Sequence, residues 1–146
     1  MSRYISPEVR QEVEMRANGC CEYCYSQQFF SADRFTVDHI QPYSKKGSND
    51  PDNLAFSCQG CNRRKYTHTE AVDPQTKKLV PLYNPRKDRW KDHFRWKKSY
   101  KELKGISEIG RATIQKLELN RKGVRNLRRV LYESGEHPPE HFLKKK

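Results

Sequence analysis

Four cysteines stand in two closely spaced pairs. Cys21 and Cys24 form the first pair, Cys58 and Cys61 form the second pair, and 33 residues separate the two pairs. A Cys-x2-Cys pair holds a metal ion from a tight turn, and two such pairs complete a tetrahedral thiolate site. Because four thiolates close the coordination shell, we expect a structural Zn²⁺ with no open position for water.

A fifth cysteine leaves the identity of one ligand open. Cys20 could replace Cys21 in a Cys-x3-Cys arrangement with Cys24. The spacing of Cys21 and Cys24 equals that of the second pair, so we favour Cys21. Cys20 is then expected to be a small, partly buried thiol.

Polar residues suited to chemistry lie between and just after the cysteine pairs. Asp38 and His39 are adjacent, Asn53 follows 14 residues after His39, and Asn62 comes directly after Cys61. Neighbouring residues of a strand face opposite ways, but this alternation relaxes at a strand end. One member of the Asp38-His39 pair could therefore face a metal ion and the other a substrate.

The elements that must position these residues have readable signals. Residues 6–19 ("SPEVRQEVEMRANG") predict a helix with Ser6 as the N-cap and Pro7 in its first turn. Residues 34–40 ("RFTVDHI") predict a strand, 41–53 a loop, and 54–57 a short second strand. A helix is expected to follow the second cysteine pair.

The second half of the chain has weaker signals. Residues 72–100 combine prolines with scattered aromatic residues and predict an extended segment, with a possible short strand at "LVPLY". Two helices are predicted after Ser107. The last one places Val124, Leu127 and Leu131 at helical spacing, with arginines between them.

Charge divides the chain into two unlike halves. The formal net charge is +12, but residues 1–70 hold nine basic and nine acidic residues, so the whole excess lies in residues 71–146. This asymmetry predicts a working centre followed by a surface that binds a polyanion. No apolar run approaches about 18 residues, which argues against a membrane span, and the N-terminus lacks the core of a signal peptide. We therefore expect a cytoplasmic protein with reduced cysteines.

The segment "CEYC…FTVDHIQPYSKKGSNDPDNLAFSCQGCNRRK" resembles the HNH endonuclease motif, over roughly residues 20–66. The pieces "DPQTKKLVPLYNPRKDRWKDHFRW" and "GISEIGRATIQKLELNR" also resemble segments that follow this motif in some HNH endonucleases. The resemblance implies an α+β fold: a small ββα-metal core with a four-cysteine zinc site, flanked by an N-terminal helix and C-terminal helices. We divide the chain into a nuclease domain at 1–100 and a basic helical extension at 101–146.

The resemblance also implies roles for the polar residues. His39 matches the general base that activates water, and Asp38 matches a ligand of the catalytic divalent ion. Asn53 matches the asparagine that braces the loop and orients the histidine. Asn62 stands where the family usually has histidine, and some members bind the metal through asparagine there. An amide oxygen is a hard, neutral ligand, so we expect Mg²⁺ or Mn²⁺, bound weakly without DNA.

Basic residues after the motif are candidates for contacts with phosphate. Lys65, which matches a basic position of the motif, is the first choice, and Arg63 and Arg64 accompany it on the same helix. Arg125 and Arg129 on the last helix are further candidates. Binding to DNA is then expected to weaken strongly with salt.

The leading hypothesis is thus a metal-dependent DNA endonuclease. The main alternative is a zinc-stabilised nucleic-acid-binding module without cleavage, and a third is a zinc domain for protein contacts. The sequence leaves open RNA as a substrate, the sequence preference, nicking against double-strand cutting, the oligomeric state and the biological role.

Overall fold

The computed structural model describes residues 4–139, which form five α-helices and three two-stranded antiparallel sheets. Residues 1–3 and 140–146 lie outside this part, so the predicted extension at 101–146 is described only as far as 139. The prediction of an α+β fold with small sheets is confirmed. Within residues 4–139, no helix is long and apolar enough to cross a membrane.

The first helix, α1, spans Pro7–Arg16 and begins as predicted. The Ser6 hydroxyl accepts a hydrogen bond from the Val9 amide at 3.2 Å, and Pro7 occupies the first turn. Val13, on its apolar side, is fully buried. The chain leaves the helix through Asn18, whose φ of 55° is left-handed. The cysteine-bearing turn follows at once.

A ββα unit forms the centre of the fold. Strand β1 (Thr36–His39) pairs with strand β2 (Leu54–Ser57) so that His39 lies opposite Leu54, and helix α2 (Gln59–Lys65) follows directly. All four residues of β2 are buried, as expected for a short apolar strand covered on both faces. The loop between the strands contains two short 3₁₀ turns. This loop carries polar residues and begins where β1 ends.

Residues 70–105 differ from the predicted extended segment. They contain the hairpin β3 (Glu70–Val72) to β4 (Leu79–Pro81), the helical turn α3 (Trp90–His93) and the hairpin β5 (Phe94–Trp96) to β6 (Leu103–Gly105). The strand suggested at "LVPLY" corresponds to β4. The second hairpin was missed because its loop turns through left-handed Ser99 and Tyr100, without the glycine that usually marks such a turn.

The two predicted C-terminal helices are present as α4 (Glu108–Leu117) and α5 (Lys122–Glu133). Helix α4 lies against the chain near β6, and a Cβ atom at Gly110 would come within 2.0 Å of the His93 carbonyl oxygen. This close approach requires glycine. The proposed boundary at 100/101 falls inside the β5–β6 hairpin.

One apolar core runs through both halves of the chain. It combines residues from the first half with residues from the second, including Val13, Tyr23, Phe56, Leu103 and Leu117. The second half therefore packs on the ββα unit and fixes its position.

Arg128 is the most deeply buried arginine of α5, with 2 % of its surface exposed. Its guanidinium donates to the carbonyl oxygens of Cys24 (3.1 Å), Leu119 (2.8 Å) and Lys101 (2.9 Å). It also lies 5.2 Å from the centre of the Trp96 ring. Since Cys24 belongs to the first half of the chain, Arg128 connects the two halves by hydrogen bonds.

We expect Arg128→Met to lower the free energy of unfolding by about 3 kcal/mol, because three buried carbonyl groups lose a charged donor. Arg129→Met is the matched control. Arg129 is 46 % exposed and, among residues 4–139, pairs only with Glu133 on the same helix, so its loss should cost about 0.5 kcal/mol or less. Urea unfolding with zinc present measures both values, and equal losses would contradict this role of Arg128.

Candidate metal centre and active-site cleft

The four cysteines of the two Cys-x2-Cys pairs meet in the interior. The Sγ atoms of Cys21, Cys24, Cys58 and Cys61 lie within 4.8 Å of one another, and all four residues are buried. The Sγ atoms of Cys24 and Cys58 are 3.7 Å apart. Two sulfurs bound to one tetrahedral Zn²⁺, each at about 2.3 Å, would be separated by about 3.8 Å. The cluster therefore fits a structural Zn²⁺.

Backbone amides support the thiolate form of these cysteines. The amides of Tyr23 and Cys24 both lie 3.4 Å from Cys21 Sγ, and the Cys61 amide lies 3.3 Å from Cys58 Sγ. N–H groups that point at sulfur stabilise its negative charge and orient the ligand. Cys58 is also the N-cap of α2, so the second pair fixes the start of that helix.

Cys20 lies outside the cluster, which resolves the alternative in favour of Cys21. Its thiol is 2 % exposed and contacts the Asn18 carbonyl oxygen at 3.6 Å. Burial, with a smaller contribution from Cys24, raises the pKa of the Cys20 thiol to about 12. Cys20 is therefore a small buried side chain rather than a ligand.

Arg121 closes the outer side of the cysteine cluster. Its guanidinium nitrogens lie 3.6 Å from Cys61 Sγ and 3.6 Å from Cys58 Sγ. Burial alone would lower the pKa of Arg121, but the sulfur atoms raise it above its ordinary value. The role of Arg121 was not predicted from the sequence. The one sequence signal for this role is that Arg121 is the N-cap of α5, a position that usually takes Ser, Thr, Asp or Asn.

A separate cleft of about 740 Å³ brings three of the predicted residues together. Asp38 and His39 line it from the end of β1, and Asn62 lines it from α2. Tyr43 and Tyr66 form part of its wall. The antiparallel pairing of β1 with β2, and the cysteine pair that starts α2, bring the strand end and the helix side by side.

The His39 imidazole is oriented by Asn49, a residue that the sequence analysis did not single out. His39 Nε2 lies 2.8 Å from Asn49 Oδ1. The Asn49 Nδ2 group donates to the Tyr4 carbonyl oxygen at 3.4 Å, so its oxygen is the atom that faces the ring. Nε2 is consequently the protonated nitrogen. Asn49 carried no signal because it stands among many turn-forming residues in the 41–53 loop.

Asn53 fastens the loop that follows His39. Its side-chain oxygen accepts from the Gln41 amide at 2.8 Å, and its side-chain nitrogen donates to the carbonyl oxygens of Gln41 (3.1 Å) and Ser48 (2.8 Å). Asn53 thus holds both ends of the 41–48 segment and acts on the backbone beside His39.

Asp38 is a buried carboxylate, 4 % exposed, that already has two partners. Tyr23 donates its hydroxyl to Asp38 Oδ2 at 2.8 Å, and Lys65 Nζ lies 3.2 Å from Oδ2 and 3.4 Å from Oδ1. Burial raises the pKa of the Asp38 carboxyl, while Lys65 and Tyr23 act in the opposite direction. Oδ1 has the single longer contact and keeps an acceptor position.

The prediction that Lys65 contacts DNA phosphates is wrong. Lys65 is 2 % exposed, and besides Asp38 its ammonium donates to the carbonyl oxygens of His39 and Ile40, both at 3.2 Å. All its donors are directed into the protein. The matching basic position of the motif therefore holds the strand end against α2.

Asn62 presents an amide to the cleft. Within residues 4–139 its side chain makes no hydrogen bond, whereas its backbone is held in α2. An uncommitted amide oxygen near a carboxylate is a donor set that fits a hard divalent ion completed by water and phosphate oxygens. The ammonium of Lys65 beside Asp38 would weaken the binding of such an ion when no phosphate is present.

The remaining basic candidates differ in exposure. Arg63 is exposed on α2, whereas Arg64 donates to the Gly60 carbonyl oxygen and lies 3.5 Å from Glu118. Arg125 and Arg129 are exposed on α5 and do not line the cleft. His68 is exposed and packs on the Tyr66 ring.

We expect Cys58→Ser to abolish tight zinc binding and to broaden and lower the unfolding transition, because metal binding and folding are coupled in such sites. Cys20→Ser is the matched control and should retain zinc, with an unfolding temperature close to that of the wild type. Zinc content by elemental analysis and thermal unfolding by circular dichroism check both outcomes. Loss of zinc from Cys20→Ser, with retention in Cys58→Ser, would contradict the assignment.

A family model described as HNH endonuclease matches residues 21–68. The matched segment contains both cysteine pairs, the complete ββα unit and the three cleft residues Asp38, His39 and Asn62. No curated protein matches the chain. The family match and the geometry of the cluster and cleft agree, and this chain therefore contains an HNH endonuclease domain at residues 21–68.

Proposed function

We propose that this protein is a metal-dependent endonuclease that hydrolyses phosphodiester bonds of DNA. The observation that carries the proposal is the cleft that His39, Asp38 and Asn62 line together. Nucleic-acid binding alone does not require an oriented histidine beside a carboxylate. A net charge of +12 suits a polyanionic substrate.

His39 is the general base. Since Nε2 donates to Asn49, Nδ1 is the unprotonated nitrogen, and it makes no hydrogen bond within residues 4–139. Nδ1 can therefore accept a proton from a water molecule that attacks the phosphorus atom. Asn49 keeps the ring in this tautomer, and Asn53 keeps the loop next to it in place.

Asp38 and Asn62 would hold the divalent ion, for which we propose Mg²⁺ or Mn²⁺. When bound, this ion would neutralise the scissile phosphate and stabilise the leaving 3′-oxygen, which yields 5′-phosphate and 3′-hydroxyl ends. Tyr23 and Lys65 favour the ionised form of the Asp38 carboxylate, against the effect of its burial, and hold it in position. Lys65 thereby acts as a positioning residue.

The Asp38–Lys65 ion pair is also the observation that favours a second candidate. A carboxylate neutralised by a buried ammonium could have lost its metal, and the protein would then be a zinc-stabilised module that binds nucleic acid without cutting it. The two candidates differ in whether wild-type protein cleaves DNA.

His39→Ala should reduce cleavage of supercoiled plasmid DNA by at least about 100-fold in Mg²⁺ or Mn²⁺, because the attacking water loses its base. His68→Ala is the control, since this exposed histidine does not line the cleft. Linear and single-stranded DNA should be tested in parallel. If wild type and His39→Ala cleave alike, the role of His39 fails. If the wild-type protein fails to cleave DNA with every divalent ion tested, the non-catalytic module is the better description.

Two substitutions of Asn62 should shift the metal requirement in opposite directions. Asn62→Ala removes an oxygen ligand and should raise the half-saturating Mg²⁺ concentration for cleavage about tenfold, which corresponds to roughly 1.4 kcal/mol. Asn62→Asp adds a charged oxygen and should lower it. The free side chain of Asn62 predicts unchanged zinc content in both variants. A half-saturating concentration that neither variant changes would exclude Asn62 as a ligand.

A further inference from the structure

A second cleft, of about 550 Å³, lies between α5 and the segment 97–102. We name it the α5 groove. One wall is the exposed face of α5, and the other is the loop that joins β5 to β6. Six basic side chains line the groove: Lys97, Lys98, Lys101, Lys122, Arg125 and Arg129. Glu102 is the one acidic residue among its described lining residues.

Within the described chain this positive charge is only partly neutralised, and Arg129 pairs with Glu133 on the same helix at 3.7 Å. Glu102 is shared between Lys97 Nζ at 3.3 Å and Arg125 at 3.4 Å. Within residues 4–139, Lys98, Lys101 and Lys122 form no ion pair. Like charges that line one groove repel one another, so the arrangement costs folding stability until an anion enters.

The position of Lys122 strengthens this argument. Lys122 begins α5, whose first turn has no acidic residue, so its cation stands at the positive end of the helix dipole. Arg121 at the same end is accounted for by its contact with the cysteine cluster. No contact within the described chain accounts for Lys122, which suggests an external anionic partner.

The opposite wall is held in a costly backbone conformation. Ser99 and Tyr100 are consecutive non-glycine residues with φ of 69° and 59°, each of which costs on the order of 1–3 kcal/mol. The surrounding packing maintains this backbone conformation. The Tyr100 and Tyr132 rings stack with their centroids 5.7 Å apart, and Arg128 donates a hydrogen bond to the Lys101 carbonyl oxygen. The groove is therefore a preformed surface on a rigid support.

The dimensions fit a polymer of phosphates. Lys122, Arg125 and Arg129 recur at i, i+3 and i+7, so they share one helix face over about 10 Å. One strand of duplex DNA carries a phosphate about every 3.4 Å along the helix axis, so this face spans about three phosphates. Lysine and arginine side chains contact such phosphates without reading the base sequence.

We propose that the α5 groove binds the phosphate backbone of duplex DNA outside the catalytic cleft, as a second and sequence-independent contact. The inference extends the proposed endonuclease function, whose substrate is the same polymer. Arg121 makes the connection between the two sites: it precedes the groove residue Lys122 and contacts Cys61, the residue before Asn62. The groove and the cleft are thereby held in a fixed relation.

The test is the double variant Lys98→Gln/Lys122→Gln, compared with Lys77→Gln/Lys78→Gln. The control removes the same number of charges from the exposed β3–β4 loop. Fluorescence anisotropy with a labelled duplex of about 30 base pairs measures affinity over a range of salt concentrations. Mg²⁺, Mn²⁺ and chelators are left out, so that the DNA stays intact and the zinc stays bound.

We expect the groove variant to bind about tenfold more weakly than wild type near 100 mM salt. The slope of log K against log salt should fall by about 1.8, the value for two lost phosphate contacts. The control should lie close to wild type. Wild-type affinity and slope in the groove variant, or an equal loss in the control, would overturn the proposal, as would weakened binding of duplex RNA with DNA binding unchanged.

This result is separable from the catalytic proposal because binding is measured without an activating ion. A protein that never cleaves DNA could still show the groove effect. Conversely, an active nuclease with an inert groove would leave the His39 mechanism intact and remove only this second contact.

Discussion

The contact between Arg121 and the cysteine cluster is the interaction on which the rest of the structure depends. Four thiolates around one Zn²⁺ carry two net negative charges, and this cluster is buried, where an uncompensated charge is costly. Arg121 supplies a positive charge 3.6 Å from two of the sulfurs. Because the cysteines fix α2 while Arg121 starts α5, this one contact sets the position of α2 relative to the basic helix α5.

A second buried charge pair organises the cleft by the same logic. Asp38 and Lys65 are each almost fully buried, and each is satisfied by further hydrogen bonds, from Tyr23 in one case and to two carbonyl oxygens in the other. A buried pair with such additional partners contributes geometric definition more than stability. The pair binds the end of β1 to α2, which explains why a strand of only four residues can present His39 in a defined position.

The sequence predicted the elements whose signals are local. The N-cap of α1, the two cysteine pairs, the two central strands and the amphipathic α5 each depend on neighbouring residues, and the structure contains all of them. The misplaced residues depend on distant partners. Lys65 stands in a basic run, which predicts a surface position, but its ammonium binds the buried carboxylate of Asp38, 27 residues earlier. Asn49 lies 10 residues from His39, and Arg121 lies 60 residues from Cys61. The turn of the β5–β6 loop uses non-glycine residues and therefore lacks the usual sequence signal.

The location of Arg121 has a consequence for how the chain folds as it is synthesised. The last cysteine ligand precedes Arg121 by 60 residues, so the ribosome releases all four thiols well before their counter-charge. A zinc-loaded knuckle would stand for that interval as an exposed dianion, next to a growing segment rich in lysine and arginine. Attraction between opposite charges would then favour docking of the later helices onto the zinc-bound cysteines after the metal has been captured.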